Sequence, residues 1–122
     1  MKRLLIVDDE AAIIEALQEL LTDEGYSVAT AFNGAEGLKR LKESRPDLLL
    51  LDLMMPVMDG RELLRRVRED PALQDLPVVV MSAGRISEEE RRAASATLAK
   101  PFELDLLLST LDAQLQGKAS GT

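Results

Sequence analysis

Four consecutive leucines at positions 48–51, halted by Asp52, constrain this chain more than any other feature. A strand that is apolar at every position has no face to offer water, so it belongs inside a sheet covered on both sides. The run is far too short to span a bilayer. Four further strand-like segments flank it in sequence. Residues 4–7 are apolar and rich in branched side chains, and stop at Asp8-Asp9-Glu10. Residues 27–31 give a weaker second strand. Residues 78–81 give a fourth, which meets Ser82-Ala83-Gly84, and residues 97–99 a weak fifth, which ends at Lys100-Pro101.

Helical patterns fill the intervals. Ile13, Ile14, Leu17, Leu20 and Leu21 form a first apolar stripe, and Gly25 sits where a helix C-terminal glycine is expected. Asn33 can cap a second helix carrying Leu38 and Leu41 and ending before Pro46. After the loop 54–60, Asp59 and Glu62 have capping-box spacing for a third helix with Leu63, Leu64 and Val67. Pro71 and Pro77 bracket the next connection. Ser87 and Glu90 repeat the capping-box spacing for a short fourth helix, and Leu104, Leu107, Leu108, Leu111 and Leu115 form the stripe of a last one. Residues 117–122 read as a polar, disordered tail.

Strand then helix, five times over, predicts an α/β fold: a five-stranded parallel sheet with helices on both faces and right-handed crossovers. At 122 residues, with 46% hydrophobic side chains, one domain over 1–116 is expected. With no Cys there are no disulfides or thiolate metal sites, and with no His the commonest general base and zinc ligand are absent. Any metal must be held by oxygen, which favours a hard cation such as Mg²⁺. The net charge of −7 argues against nucleic acid as a direct partner. No signal-peptide or membrane-insertion segment is visible, and a cytoplasmic location is the expectation.

In doubly wound sheets, ligands bind beyond the carboxyl ends of the strands, at a switch in strand order. Here the first strand ends in Asp8-Asp9, the third in Asp52, the fourth in Ser82 and the fifth in Lys100, all at one end of the sheet. In the flavodoxin-like order 2-1-3-4-5, the first and third strands are neighbours, so Asp8, Asp9 and Asp52 converge. Three carboxylates so placed repel one another, and a divalent cation relieves the cost. Without His there is no activated Ser or Cys, whereas an Asp carboxylate can itself attack phosphorus. Asp52, alone at the end of the most buried strand, is the expected nucleophile, with Asp8 and Asp9 as metal ligands. Lys100 can clamp phosphoryl oxygens and Ser82 can donate a hydroxyl hydrogen bond to one of them.

Asp59 is read as a helix cap only, Met54, Met55 and Met58 as packing or loop residues, and Glu88, Glu89 and Glu90 as a solvated first turn. Asp8 and Asp9 taken alone fit helix capping equally well.

Four motifs carry a resemblance to the receiver domains of two-component response regulators, including the stand-alone chemotaxis type. They are Leu5-Ile6-Val7-Asp8-Asp9-Glu10, the run from Leu51-Asp52 through Met58-Asp59-Gly60, Met81-Ser82-Ala83, and Lys100-Pro101-Phe102. The resemblance implies that Asp52 accepts phosphate from a phosphohistidine on a sensor histidine kinase or histidine phosphotransfer protein. It implies Mg²⁺ at Asp8, Asp9 and Asp52, with the backbone carbonyl of Met54 as a further ligand, Ser82 as switch hydroxyl, Lys100 on the phosphoryl group, and a cis Lys100-Pro101 bond. Small Ala83 would leave the site open. The output would be binding to a downstream protein, with autophosphorylation from a donor and slow autodephosphorylation as the only catalysis. Two departures stand out. Thr97 occupies the position, three before the Lys, where the family usually has Tyr or Phe, and the segment between Ser82 and Lys100 is about one helical turn short. They motivate an alternative, a phosphorylation-independent interaction module with a remodelled output face. A Mg²⁺-dependent phosphohydrolase is disfavoured, because such enzymes use a second Asp where this chain has Met54.

Overall fold

The computed structural model describes residues 2–55 and 58–120, residues 117–120 for their main chain only. Pro56 and Val57, in the loop expected after the third strand, and Gly121 and Thr122 of the expected tail lie outside the described residues.

The chain alternates as the sequence predicts: β1 (Arg3–Val7), α1 (Ala11–Asp23), β2 (Ser27–Ala31), α2 (Gly34–Glu43), β3 (Leu48–Asp52), α3 (Gly60–Glu69), β4 (Val78–Ser82), α4 (Glu88–Ala93), β5 (Ala96–Ala99) and α5 (Leu104–Ser120). All strand pairs are parallel, and the sheet order is β2-β1-β3-β4-β5. β3, the leucine strand, lies at the centre and is buried along its whole length.

Strand side chains alternate between faces with period two, and the two cores follow that alternation. Leu5, Val7, Leu49, Leu51, Val78 and Val80 pack with Leu41 of α2 and with Leu63, Leu64 and Val67 of α3. Leu4, Ile6, Leu48, Leu50, Val79 and Met81 pack with Ile14, Leu17 and Leu21 of α1 and with Leu107, Leu111 and Leu115 of α5. Leu20 and Leu104, expected on the buried stripes, are exposed. Leu20 falls off the line joining Leu17 and Leu21, and Leu104 opens α5 a turn before Leu107 reaches the sheet.

Local signals account for the boundaries. Gly25 adopts φ +97°, the left-handed conformation that lets the chain leave α1. The side chains of Asn33 and Asp59 accept from the amides of Glu36 (2.8 Å) and Glu62 (3.0 Å). Ser87 and Glu90 complete a reciprocal capping box. The one expected at Asp59 and Glu62 is only half formed, because Arg65 (2.6 Å) and Arg66 (2.8 Å) take the Glu62 carboxylate and hold its pKa down at about 2. The main chain of α5 runs on to Ser120, past residue 117, where the tail was expected to begin. Extending an existing helix gains one hydrogen bond per residue, which offsets the cost of a single glycine such as Gly117.

Candidate functional site

Strand register sets the rim of the site. Val7 pairs with Leu51, so the next residues, Asp8 and Asp52, stand level at the carboxyl ends of adjacent strands. Asp52 pairs with Met81 and Ser82 with Ala99, which brings Ser82 and Lys100 to the same edge. The Lys100 amide donates to the Ser82 carbonyl (2.9 Å). The Lys100-Pro101 bond is cis, as the resemblance implies.

The side chains meet around one ammonium group. Lys100 Nζ donates to Asp8 Oδ2 at 2.8 Å and lies 3.5 Å from Asp52 Oδ2 and 3.7 Å from Glu10 Oε1. Asp8 is fully buried and Asp52 is 4% exposed. Each carboxylate also accepts one backbone amide: Asp8 Oδ1 from Glu10 (2.9 Å) and Asp52 Oδ1 from Met54 (3.2 Å). Asp8 does not cap α1. The cap position is Glu10, whose side chain makes no capping bond, so helix capping does not explain the acidic pair.

Burial raises the pKa of Asp52. The Met54 amide opposes this, Asp8 adds to it, Lys100 opposes it and Asp9 adds to it, and the carboxyl remains above its ordinary value. Burial alone would lower Lys100. Its hydrogen bond to Asp8 and the charges of Asp8, Asp52 and Glu10 outweigh that and raise it. The ammonium therefore stays charged while one of its two buried carboxylates is held at a cost.

Asp8, Asp9 and Glu10 each present a carboxylate oxygen within 4.8 Å of the others, with Asp9 and Glu10 exposed. An all-oxygen donor set with two solvated members fits a small hard cation that keeps part of its water shell. Glu10 is the residue sequence reasoning left out. Its signal was its place directly after Asp8-Asp9 in an uninterrupted acidic run. With it, the site holds four carboxylates and one ammonium, leaving three negative charges where three carboxylates would leave two.

Ser82 does not join this group. Its Oγ accepts from the Gly84 amide (3.0 Å) and faces the Gly84 carbonyl (3.4 Å). Strand alternation places Ser82 with Val78 and Val80 on the face opposite Leu48, Leu50 and Asp52. Met54 contributes its amide to Asp52, and its side chain is 56% exposed. Gly60, quoted above only as part of a motif, shapes the site directly. Its amide donates to the Leu53 carbonyl (3.0 Å), and a Cβ there would lie 2.1 Å from the Asp52 carbonyl oxygen. Only glycine lets α3 begin so close to Asp52.

Residues 4–112 match the family model of the response regulator receiver domain. The chain belongs to that family. Among curated receiver-containing relatives, Response regulator MprA of Mycobacterium avium is 43% identical over 119 residues, covering 93% of this chain and 51% of its own length. The chain thus spans about half the length of the curated relatives it matches. Among solved receiver structures, TrrA from Thermotoga maritima in complex with Mg(2+)-BeF is 35% identical, with a TM-score of 0.86 over 93% of this chain and 99% of that one. The structure of histidine kinase ThkA in complex with TrrA matches with 36% identity and a TM-score of 0.85, over 94% of this chain and 99% of that one. Chemotaxis protein CheY4 of Vibrio cholerae matches at 33% identity and a TM-score of 0.83, over 92% and 97%. Among the described residues of this receiver domain, no helix is long and apolar enough to cross a membrane.

Proposed function

We infer that this receiver domain is a phosphorylation-dependent switch in which Asp52 accepts a phosphoryl group from a phosphohistidine on a histidine kinase or phosphotransfer protein. The observation that carries the reading is the shared ammonium: Lys100 Nζ lies within 3.5 Å of Asp52 Oδ2 while anchored on buried Asp8. In the transfer, an Asp52 carboxylate oxygen attacks phosphorus, a P–O bond forms, and the P–N bond to the imidazole breaks. Asp8, Asp9, Asp52 and the Met54 carbonyl would hold Mg²⁺, with Glu10 close enough to reach its water shell. Mg²⁺, when bound, neutralises charge on the phosphoryl oxygens.

The chain's own residues supply the rest. Lys100 holds positive charge beside the attacking Asp52 oxygen without moving its main chain. Ser82 reaches the new phosphoryl group by leaving Gly84 through a rotation about χ1, one staggered well to another. Burial keeps ionised Asp52 costly, and the acyl phosphate carries still more negative charge, so Lys100 and the bound cation would have to offset both. The ThkA complex of a 36%-identical receiver supports a histidine kinase as the donor. The Mg(2+)-BeF complex of TrrA, at 35% identity, supports the cation. A downstream protein then reads the phosphorylated face.

Incubation with acetyl phosphate and Mg²⁺, followed by intact mass spectrometry, tests this. The wild type is expected to gain the mass of one phosphoryl group, and Asp52→Asn or excess EDTA to abolish the gain. Labelling that persists in Asp52→Asn overturns the assignment. No gain in the wild type favours the second reading, a phosphorylation-independent interaction module. What favours that reading is Thr97, which stands in place of an aromatic and accepts from Arg91 (3.3 Å), tying β5 to α4.

A further inference from the structure

Among the described residues, α4 is the one helix with no buried residue. It has six residues, Glu88–Ala93. A helix this short has no stability of its own in water. Ala93, with Ile86 and Ala94 flanking the helix, leans on the core as a partly buried residue. Polar contacts supply the rest of its hold, and these fall into two groups at its two ends.

At the C-terminal end, Arg68 of α3 donates to the carbonyls of Ala93 (2.6 Å), Leu76 (2.7 Å) and Gln74 (2.9 Å). Arg91 donates to Thr97 of β5 (3.3 Å). At the N-terminal end partly buried Ile86 packs against the core, and the polar hold from α3 is a single residue. Arg61, the second residue of α3, ion-pairs through Nε with Glu90 and reaches the Arg85 carbonyl at 3.5 Å. Glu90 is itself occupied twice: one carboxylate oxygen accepts from the Ser87 amide (2.9 Å) to close the capping box, and the other takes Arg61. The Glu90 side chain is 13% exposed and that of Arg61 41%, so the pair is shielded from solvent on the Glu90 side alone.

Arg61 is also wired to the phosphoacceptor. The residue before it, Gly60, is pressed against the Asp52 carbonyl with no room for a methyl group and is bonded to the Leu53 carbonyl. The segment Arg61 grips, from Arg85 to Glu90, begins three residues after Ser82.

We propose that Arg61 is a releasable latch: it holds the N-terminal end of α4 and the loop after Ser82 against α3, while Arg68 and Arg91 keep the C-terminal end as a pivot. When Ser82 turns from Gly84 toward a phosphoryl group on Asp52, the loop that Arg61 grips shifts, and α4 swings on its C-terminal anchors. The trigger rests on the reading of Asp52 as phosphoacceptor. The latch itself does not. A segment stabilised by so few contacts lies at the low end of local opening free energies, where removing one contact changes the open population severalfold.

Hydrogen–deuterium exchange of the 122-residue chain, read by peptide mass spectrometry, tests both parts. Without phosphodonor, Arg61→Ala is expected to speed exchange over residues 85–91 by about tenfold, with β1, β3 and β4 unchanged. Arg61→Lys is expected to restore part of the protection. Wild-type exchange in Arg61→Ala overturns the latch and leaves the pair as surface decoration. In the second arm, acetyl phosphate and Mg²⁺ are added and phosphoryl gain is read on the same samples. Labelled wild type is expected to show faster exchange over 85–91, and labelled Arg61→Ala no further change. If labelled Arg61→Ala responds as fully as wild type, the route through Arg61 is overturned. If the wild type gains no phosphoryl mass, the phosphoacceptor reading and its coupling to α4 both fall, and the first arm still decides the latch.

Discussion

Asp52→Asn is expected to stabilise the metal-free protein at neutral pH, although it deletes a partner of Lys100. Ionised Asp52 bears a burial cost and repulsion from Asp8 and Asp9, against the attraction of Lys100 at 3.5 Å and one amide bond from Met54. Because Asp8 and Asp52 share one ammonium at 2.8 and 3.5 Å, their facing oxygens are at most roughly 6 Å apart. At an effective dielectric of about 20, repulsion over that distance is roughly 3 kcal/mol and the Lys100 attraction roughly 5 kcal/mol, so the desolvation cost, with the further repulsion from Asp9, decides the sign. Asparagine keeps an oxygen for the Met54 amide, carries no charge to desolvate, and leaves Lys100 its shorter bond to Asp8. The residue is a gain of about 1–2 kcal/mol, or about 3–8 °C in Tm for a domain of this size.

The pH dependence gives the check on cause. A carboxyl whose folded pKa is raised makes stability fall as pH rises from its unfolded value of 3.8 through the folded one. The advantage of Asp52→Asn is therefore full at pH 7 and shrinks as pH falls into that window, where wild-type Asp52 takes up its proton. Urea or thermal denaturation in EDTA at low salt, at pH 7 and again near pH 4, measures both. An Asp52→Asn protein no more stable than wild type at pH 7, or an advantage that grows on acidification, would falsify the account of a crowded, partly desolvated site.

Saturating Mg²⁺ is expected to raise the wild-type Tm, by up to about 2.7 kcal/mol in stability at a hundredfold excess over Kd, and to raise Asp52→Asn less. Equal shifts would place the ion elsewhere. Lys100→Ala leaves buried Asp8 without its hydrogen-bonded cation and is expected to cost about 3 kcal/mol in EDTA, partly recovered by Mg²⁺, in the same melts. Gly60→Ala places a methyl group against the Asp52 carbonyl and is expected to cost about 1–3 kcal/mol, with slower labelling by acetyl phosphate per folded molecule. Asn33→Ala removes the α2 cap and is expected to cost about 1 kcal/mol with labelling unchanged, which separates stability from the site.

What the sequence revealed, and what it hid, divides along a physical line. Strand order, cores and rim residues were legible because they follow from periodicity: apolar runs of four or five residues fix the strands, alternation fixes their faces, and parallel register then brings Asp8, Asp52, Ser82 and Lys100 to one edge. Periodicity carries no information about which of several polar partners a side chain chooses. Asp59 and Glu62 have the same spacing as Ser87 and Glu90, yet only the second pair closes its box, because Arg65 and Arg66 compete for Glu62 from three and four residues on, where Glu90 has Ala93 and Ala94, and Arg61 takes only one Glu90 oxygen. Glu90 was legible as a cap and as part of a solvated turn. That it also receives Arg61 depends on how α3 and α4 lie together, which no local pattern encodes. Glu10 escaped for a related reason, since its distance to Lys100 spans ninety residues of sequence. The same competition that settles these choices in the resting molecule is what a phosphoryl group would disturb, because it offers Lys100 and Ser82 new acceptors at the expense of Asp8 and Gly84.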